Sequence, residues 1–277
     1  MSHFKSSRVY MEYVRCIWFV FNCIFHVIFA GIPCYIILLC MKPCIQKETL
    51  HNCISYLGSL YFKICIWASG LKIHIYGLEN IDKQQHYIYM SNHTSYFDVP
   101  IFYSTLFPYD IISVYRGSLV QQYPIFGWFL HNSANIPIDK TNTKSSIENM
   151  NNLATKLCKK KKSVIIFPEG KIADTEEMIS FKTGGSILAI KTGIPILPLA
   201  ICGCKNIFAN CKINQAPIKI FIGKPIPTSD LNFETDKHAL TQKVFDCITE
   251  LKKTNTTTKP HIVSMSFVDC FIPKFVS

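Results

Sequence analysis

A histidine and an aspartate five positions apart, His93 and Asp98, stand in the run NHTSYFD, where the strand-like YIYM ends and a second apolar stretch begins. Taken singly, each has an ordinary reading. Asp98 precedes Val99-Pro100 and has the character of a helix N-cap, because its side chain accepts backbone N–H bonds and proline suits a first turn. His93 reads as a hydrogen-bonded loop residue. As a pair they support chemistry. A carboxylate beside an imidazole fixes its tautomer, stabilises its protonated form and leaves the far ring nitrogen to take a proton from a hydroxyl. Such assistance is worth about 10²–10⁴ in rate. A regular helix would turn the two side chains onto different faces, so the pair requires an irregular first turn.

The elements that must hold this pair follow from the pattern after residue 70. The runs LKIHIYG, HYIYM, IISVY, SVIIF, IPILPLA and PIKIFI read as strands. Between them VPIFYSTLF, residues 145–162, 184–192 and 235–253 read as helices, and such alternation indicates an α/β sheet. His93 then sits where a strand end opens into a loop. The expected division is residues 1–70 as a membrane-anchoring segment, 71–255 as the chemical domain, and 256–277 as a tail behind the polar KKTNTTTK.

Composition narrows the partners. The 277 residues carry 29 Lys+Arg against 18 Asp+Glu, a formal charge of +11, with 49% apolar residues. No Arg-rich tail, zinc-finger spacing or aromatic RNA-binding motif accompanies the charge, so nucleic acid is excluded in favour of an anionic lipid surface. Residues 17–41 contain no charged side chain. As one helix they would extend roughly 37 Å, against a hydrocarbon core of about 30 Å. Pro33 predicts a kink. Basic residues on both flanks (Lys5, Arg8 and Arg15 before, Lys42 and Lys47 after) predict that both ends lie on the cytoplasmic side. A second apolar segment, residues 53–67, predicts an interfacial helix, so the expectation is a two-helix anchor with the domain facing the cytoplasm.

Seven of the thirteen cysteines lie in or beside the apolar runs before residue 66, where they serve as small hydrophobes in a reducing compartment. Cys202-Gly203-Cys204 has no second pair, so no metal site is expected.

Downstream of the His/Asp run the chain resembles the glycerolipid acyltransferase family, whose best-known members are the 1-acyl-glycerol-3-phosphate acyltransferases. NHTSYFD matches the family's first block, N-H-x₄-D. GWFLHNSANIPIDK is similar to the second, IIFPEGKIA followed by FKTGG to the third, and GIPILPLAI to the fourth. The resemblance implies an α/β fold with a mixed sheet flanked by helices, glycerol-3-phosphate acyltransferase-like, behind the membrane anchor. It implies transfer of a fatty acyl group from acyl-CoA or acyl-carrier protein to the free hydroxyl of a lysophospholipid, foremost 1-acyl-glycerol-3-phosphate, giving phosphatidic acid. CoA-independent transacylation and non-catalytic lipid binding remain as alternatives. The thioester is a co-substrate, and no cofactor or metal is implied.

Carried over, His93 is the general base and Asp98 its orienting partner, with Asn92 beside them in the first block as a substrate-binding residue. A thioester is already activated, so direct attack by the hydroxyl suffices without a cysteine nucleophile. A phosphorylated acceptor needs cations, and Arg116, Lys140, Lys171 and Lys182 lie in or near the matching blocks. Glu169 and Gly170 form a turn where a carboxylate can hold a glycerol hydroxyl or a cation and backbone amides can approach substrate. Two departures stand out: Lys140 replaces the second block's arginine, and Lys171-Ile172 replaces the third block's T-R, exchanging bidentate forks for point charges.

Overall fold

Strands covered on both faces read as unbroken apolar runs, and residues 88–91, 163–166 and 196–201 are buried without alternation. They lie at the centre of a sheet in the computed structural model, which describes residues 2–41, 43–106, 111–122, 124–133, 135–138, 143–160, 162–205, 207–209, 212–213, 216–254 and 261–263. The chain begins with helices α1 (Ser2–His26), α2 (Ile32–Met41) and α3 (Lys47–Ser69), followed by β1 (Ile73–Tyr76), β2 (Ile88–Ser91), α4 (Asp98–Leu106) and β3 (Ile111–Arg116). Next come α5 (Leu119–Gln122), α6 (Pro124–Asn132), β4 (Ile136–Ile138), α7 (Thr143–Lys160), β5 (Ser163–Ile166), α8 (Gly184–Thr192) and β6 (Ile196–Cys202). The small hairpin β7 (Phe208–Ala209) and β8 (Lys212–Ile213), then β9 (Ile218–Ile222), α9 (Lys237–Lys253) and β10 (His261–Val263) complete it.

The large sheet is mixed, in the order β10-β1-β9-β6-β2-β5-β3-β4. From β6 to β4 neighbouring strands are parallel; β9 runs antiparallel to β6, and β10 antiparallel to β1. Residues 261–263, expected within a tail, therefore form an edge strand. Alternate residues divide the core. Tyr89, Ile165 and Leu199 pack with Ile66 of α3 and Ile101, Phe102 and Leu106 of α4. Ile88, Met90 and Val164 pack with Leu153 of α7, Leu188 of α8 and Val244 of α9.

The chain leaves β2 through α4 towards β3 on one side, whereas it leaves β5 through α8 towards β6 on the other. The two connections cross on opposite faces of the sheet, and at its carboxyl end β2 runs directly into Asn92 and His93.

At the N-terminus the two-helix anchor is corrected to one exposed apolar helical stretch. Residues 10–38 are the described stretch long and apolar enough to cross a membrane, with mean hydropathy 2.0. Pro33, which has no N–H to donate, follows a π-helical turn over Val27–Gly31, where Ile32 N–H reaches back five residues to the Val27 carbonyl. A widened turn of this kind accommodates a proline within a helical rod. The second expected anchor segment lies within α3, and Ile54, Phe62, Ile64, Cys65, Ile66 and Ala68 are buried. This helix closes the core over α4, and Ser59 Oγ donates to the Tyr103 carbonyl at 3.1 Å.

Candidate active site

The site grows from the end of β2. Asn92 is fully buried. Its Nδ2 donates to the Ile201 carbonyl and its Oδ1 accepts from Ile201 N–H, both at 2.9 Å. The side chain thus continues the ladder to β6 by imitating a backbone amide, and the expected substrate-facing role of Asn92 is corrected to fixing the strand end.

His93 leaves the sheet at that point. Its ring Nδ1 lies 2.9 Å from Asp98 Oδ2, with 16% of the His93 side chain exposed and none of Asp98's. The same oxygen accepts Thr94 N–H at 2.7 Å and Ser95 N–H at 3.0 Å. Asp98 opens α4, but its side chain caps the turn behind it, residues 94–95, giving the irregular first turn the spacing demanded. A carboxylate only accepts, so Nδ1 carries the ring hydrogen and Nε2 presents its lone pair. Nε2 has no hydrogen-bond partner among the described residues.

Two residues to which the sequence reading gave no site role adjoin this pair. Phe167 stacks on the His93 ring, centroids 4.2 Å apart and planes 24° apart. Cys204 is fully buried; burial first, then the charge of Asp98, pushes its thiol up, so it stays neutral beside the pair. Stacking has no local sequence signal, and the cysteine was visible only as half of a short Cys-Gly-Cys.

The third block forms the facing wall. Gly170 N–H closes a turn onto the Phe167 carbonyl at 3.0 Å, with Pro168 at the position that favours it. Glu169, only 2% exposed, accepts His93 N–H through Oε1 at 2.9 Å and Ile179 N–H through Oε2 at 3.3 Å. In the structure both oxygens of its carboxylate brace backbone. Burial pushes the Glu169 carboxyl up, opposed by those two N–H groups. Ala173 N–H donates to the His93 carbonyl at 2.8 Å, completing the brace.

The cations gather around Gly170. Its φ is +68°, and a β-carbon there would come within 3.3 Å of the Lys182 side chain. Arg116, at the end of β3, points its Nη2 at the Gly170 carbonyl at 3.5 Å. Lys171 is exposed, with Nζ 3.7 Å from Asp174. Lys205, also missed in the sequence, donates to the Ala173 carbonyl at 3.1 Å. Lys140 lies outside the described residues.

A proton acceptor with a cationic rim suits attack by the hydroxyl of an anionic molecule. Residues 72–202 match the family model described as Acyltransferase. Over that span the chain is similar to acyltransferases. A 1-acyl-sn-glycerol-3-phosphate acyltransferase of Cocos nucifera is 30% identical over 186 residues, 65% of this chain and 58% of that protein. One from Limnanthes alba is 31% identical over 180 residues, covering 63% of each. One from Saccharomyces cerevisiae is 26% identical over 235 residues, 83% of this chain and 73% of that protein. The chain thus spans about three fifths of the length of the first two relatives. The crystal structure of the 1-acyl-sn-glycerophosphate (LPA) acyltransferase PlsC from Thermotoga maritima superposes with a TM-score of 0.65 at 18% identity, covering 89% of this chain and 97% of that one. The architecture is shared.

Proposed function

We propose that the protein transfers a fatty acyl group from an acyl-CoA or acyl-carrier-protein thioester to the free hydroxyl of 1-acyl-glycerol-3-phosphate, giving phosphatidic acid. The observation that carries the proposal is the His93 Nδ1 to Asp98 Oδ2 contact of 2.9 Å, which leaves Nε2 as the acceptor of a hydroxyl proton. In the reaction the hydroxyl oxygen attacks the thioester carbonyl as its proton passes to Nε2. The new C–O bond forms, the C–S bond breaks, and the proton returns to the leaving thiolate. Asp98 holds the imidazolium while it exists. Arg116, Lys182 and Lys171 provide the charge a phosphate requires, and the names of the curated relatives support that acceptor.

The N-terminal helix brings this chemistry to the bilayer. Phe19 of α1 packs on Phe97 in the histidine loop, centroids 6.1 Å apart, while Ile17, Phe21 and Phe29 face outward. An apolar helix beside the loop keeps the site at headgroup depth, and the basic residues flanking it favour the cytoplasmic face.

Protein reconstituted in lipid and given a thioester with 1-acyl-glycerol-3-phosphate releases free thiol in step with phosphatidic acid, and His93→Ala abolishes both while keeping the fold. A fully active His93→Ala protein overturns the assignment.

A further inference from the structure

We infer that Phe167 is a positioning residue for His93, fixing the plane of the imidazole and stabilising the ring when it carries the extra proton. This rests on His93 being the base. A hydrogen bond at Nδ1 constrains one point of the ring. The imidazole still swings about the line from Cβ to that bond, and the swing sweeps Nε2, the reacting nitrogen, through an arc. A second contact on the ring face removes that freedom, and Phe167 supplies it, with centroids 4.2 Å and planes 24° apart.

Phe167 is itself held. Its carbonyl closes the turn with Gly170 N–H at 3.0 Å, and Phe102 of α4 packs against its ring at 6.0 Å. The same turn carries Glu169, whose Oε1 accepts His93 N–H at 2.9 Å. One four-residue block therefore grips the histidine twice, at its backbone and at its ring, while Asp98 grips Nδ1. The reacting nitrogen alone is left open.

Stacking also has an electronic effect. An aromatic face is negative and attracts a cation more than a neutral ring. The imidazolium formed during proton transfer gains from Phe167, whereas the neutral resting ring gains little. Replacing the aromatic face by an aliphatic group of similar bulk keeps His93 covered but removes this preference, so the imidazole becomes a weaker base.

The test compares wild type, Phe167→Leu and Phe167→Tyr in lipid, following thiol release across pH. For Phe167→Leu the expected result is a kcat lower by about 10-fold or more, with KM for acceptor and thioester within about twofold. The acid limb of kcat/KM moves to lower pH by roughly 0.4–0.7 units. Phe167→Tyr keeps both values. Because ionisation of the acceptor is common to all variants, a difference between profiles belongs to the enzyme. Pentafluorophenylalanine at 167 provides a second arm that preserves shape and reverses the charge of the ring face, and should move the acid limb in the same direction even if the leucine variant folds poorly. A limb that stays in place in both arms overturns the inference, as does unchanged kcat in Phe167→Leu. His93→Ala separates the two levels: if it stays active, the base assignment fails, whereas an inactive His93→Ala beside an unaltered Phe167→Leu removes only the role of Phe167.

Discussion

Asp98 accepts three N–H groups through a single oxygen, those of the His93 ring, Thr94 and Ser95. An amide at this position accepts through oxygen or donates through nitrogen, and in either pose it loses the charge that holds the imidazolium. Asp98→Asn is therefore expected to lower kcat about 10²–10³-fold, within the range of acid–base assistance, with little change in KM, measured by thiol release. Glu169 makes a separate, pH-dependent contribution. Its carboxyl titrates above the ordinary glutamate value because it is buried. The folded state then binds more protons than the unfolded state between about pH 4.3 and the raised value, so stability falls as pH rises through that window. Thermal melts of wild type and Glu169→Gln should show the difference shifting in favour of wild type as pH falls through the window. A difference that is constant with pH removes Glu169 as its source.

The same residues show what the sequence can reveal at a site. The His93–Asp98 pair was legible because both partners lie in one short run, and the chemistry of the two side chains dictates their contact. Asn92 and Glu169 stand in the same blocks but face inward, towards Ile201 and His93, over 109 and 76 residues of chain. Nothing in the local pattern distinguishes a polar side chain turned to substrate from one bonded to backbone. That choice is made by the parallel neighbours of β2, which sequence periodicity does not specify.

At the scale of elements, the longer strands and helices between β1 and α9 follow from apolar runs and their lengths, and residues 184–192, read as a helix, are α8. The misreading of α3 has a physical cause: a mostly apolar helical segment looks the same whether it faces lipid or the core. Short edge strands such as β4 and β10 carry too few residues for a period to emerge. Gly58 shows how closely α3 is committed to the body of the protein. A β-carbon there would fall 2.0 Å from the Phe129 ring of α6, which also packs edge-on against Phe62 at 5.6 Å. Gly58→Ala must push the aromatic cluster apart, and the expected cost is about 1–3 kcal/mol, read as a lowered melting temperature. If α3 were a detachable anchor, the substitution would leave the melt of the body unchanged.

Across the whole molecule, charge and apolar surface act together. The outward side of α1 carries Trp18, Phe21 and Phe25, which with Phe29 of the π-helical turn form a chain of neighbouring rings, centroids 6.2, 5.9 and 4.6 Å apart. Phe21 and Phe29 are 56% and 66% exposed, values that a water-facing helix would pay for in solubility. Bilayer insertion of one phenylalanine returns about 1.5–3 kcal/mol, so Phe21→Glu is expected to weaken vesicle association by about 10-fold or more. Catalysis on lysolipid dispersed in detergent should change little, because Phe21 lies on the side of α1 away from the histidine loop that Phe19 meets. The formal charge of +11 adds a second attraction, selective for anionic vesicles and screened by salt. Co-sedimentation at rising ionic strength should therefore lose the preference for anionic lipid first while keeping the apolar part, which Phe21→Glu removes. Loss of all association in salt would assign the membrane contact to charge alone and leave the exposed rings without a bilayer role.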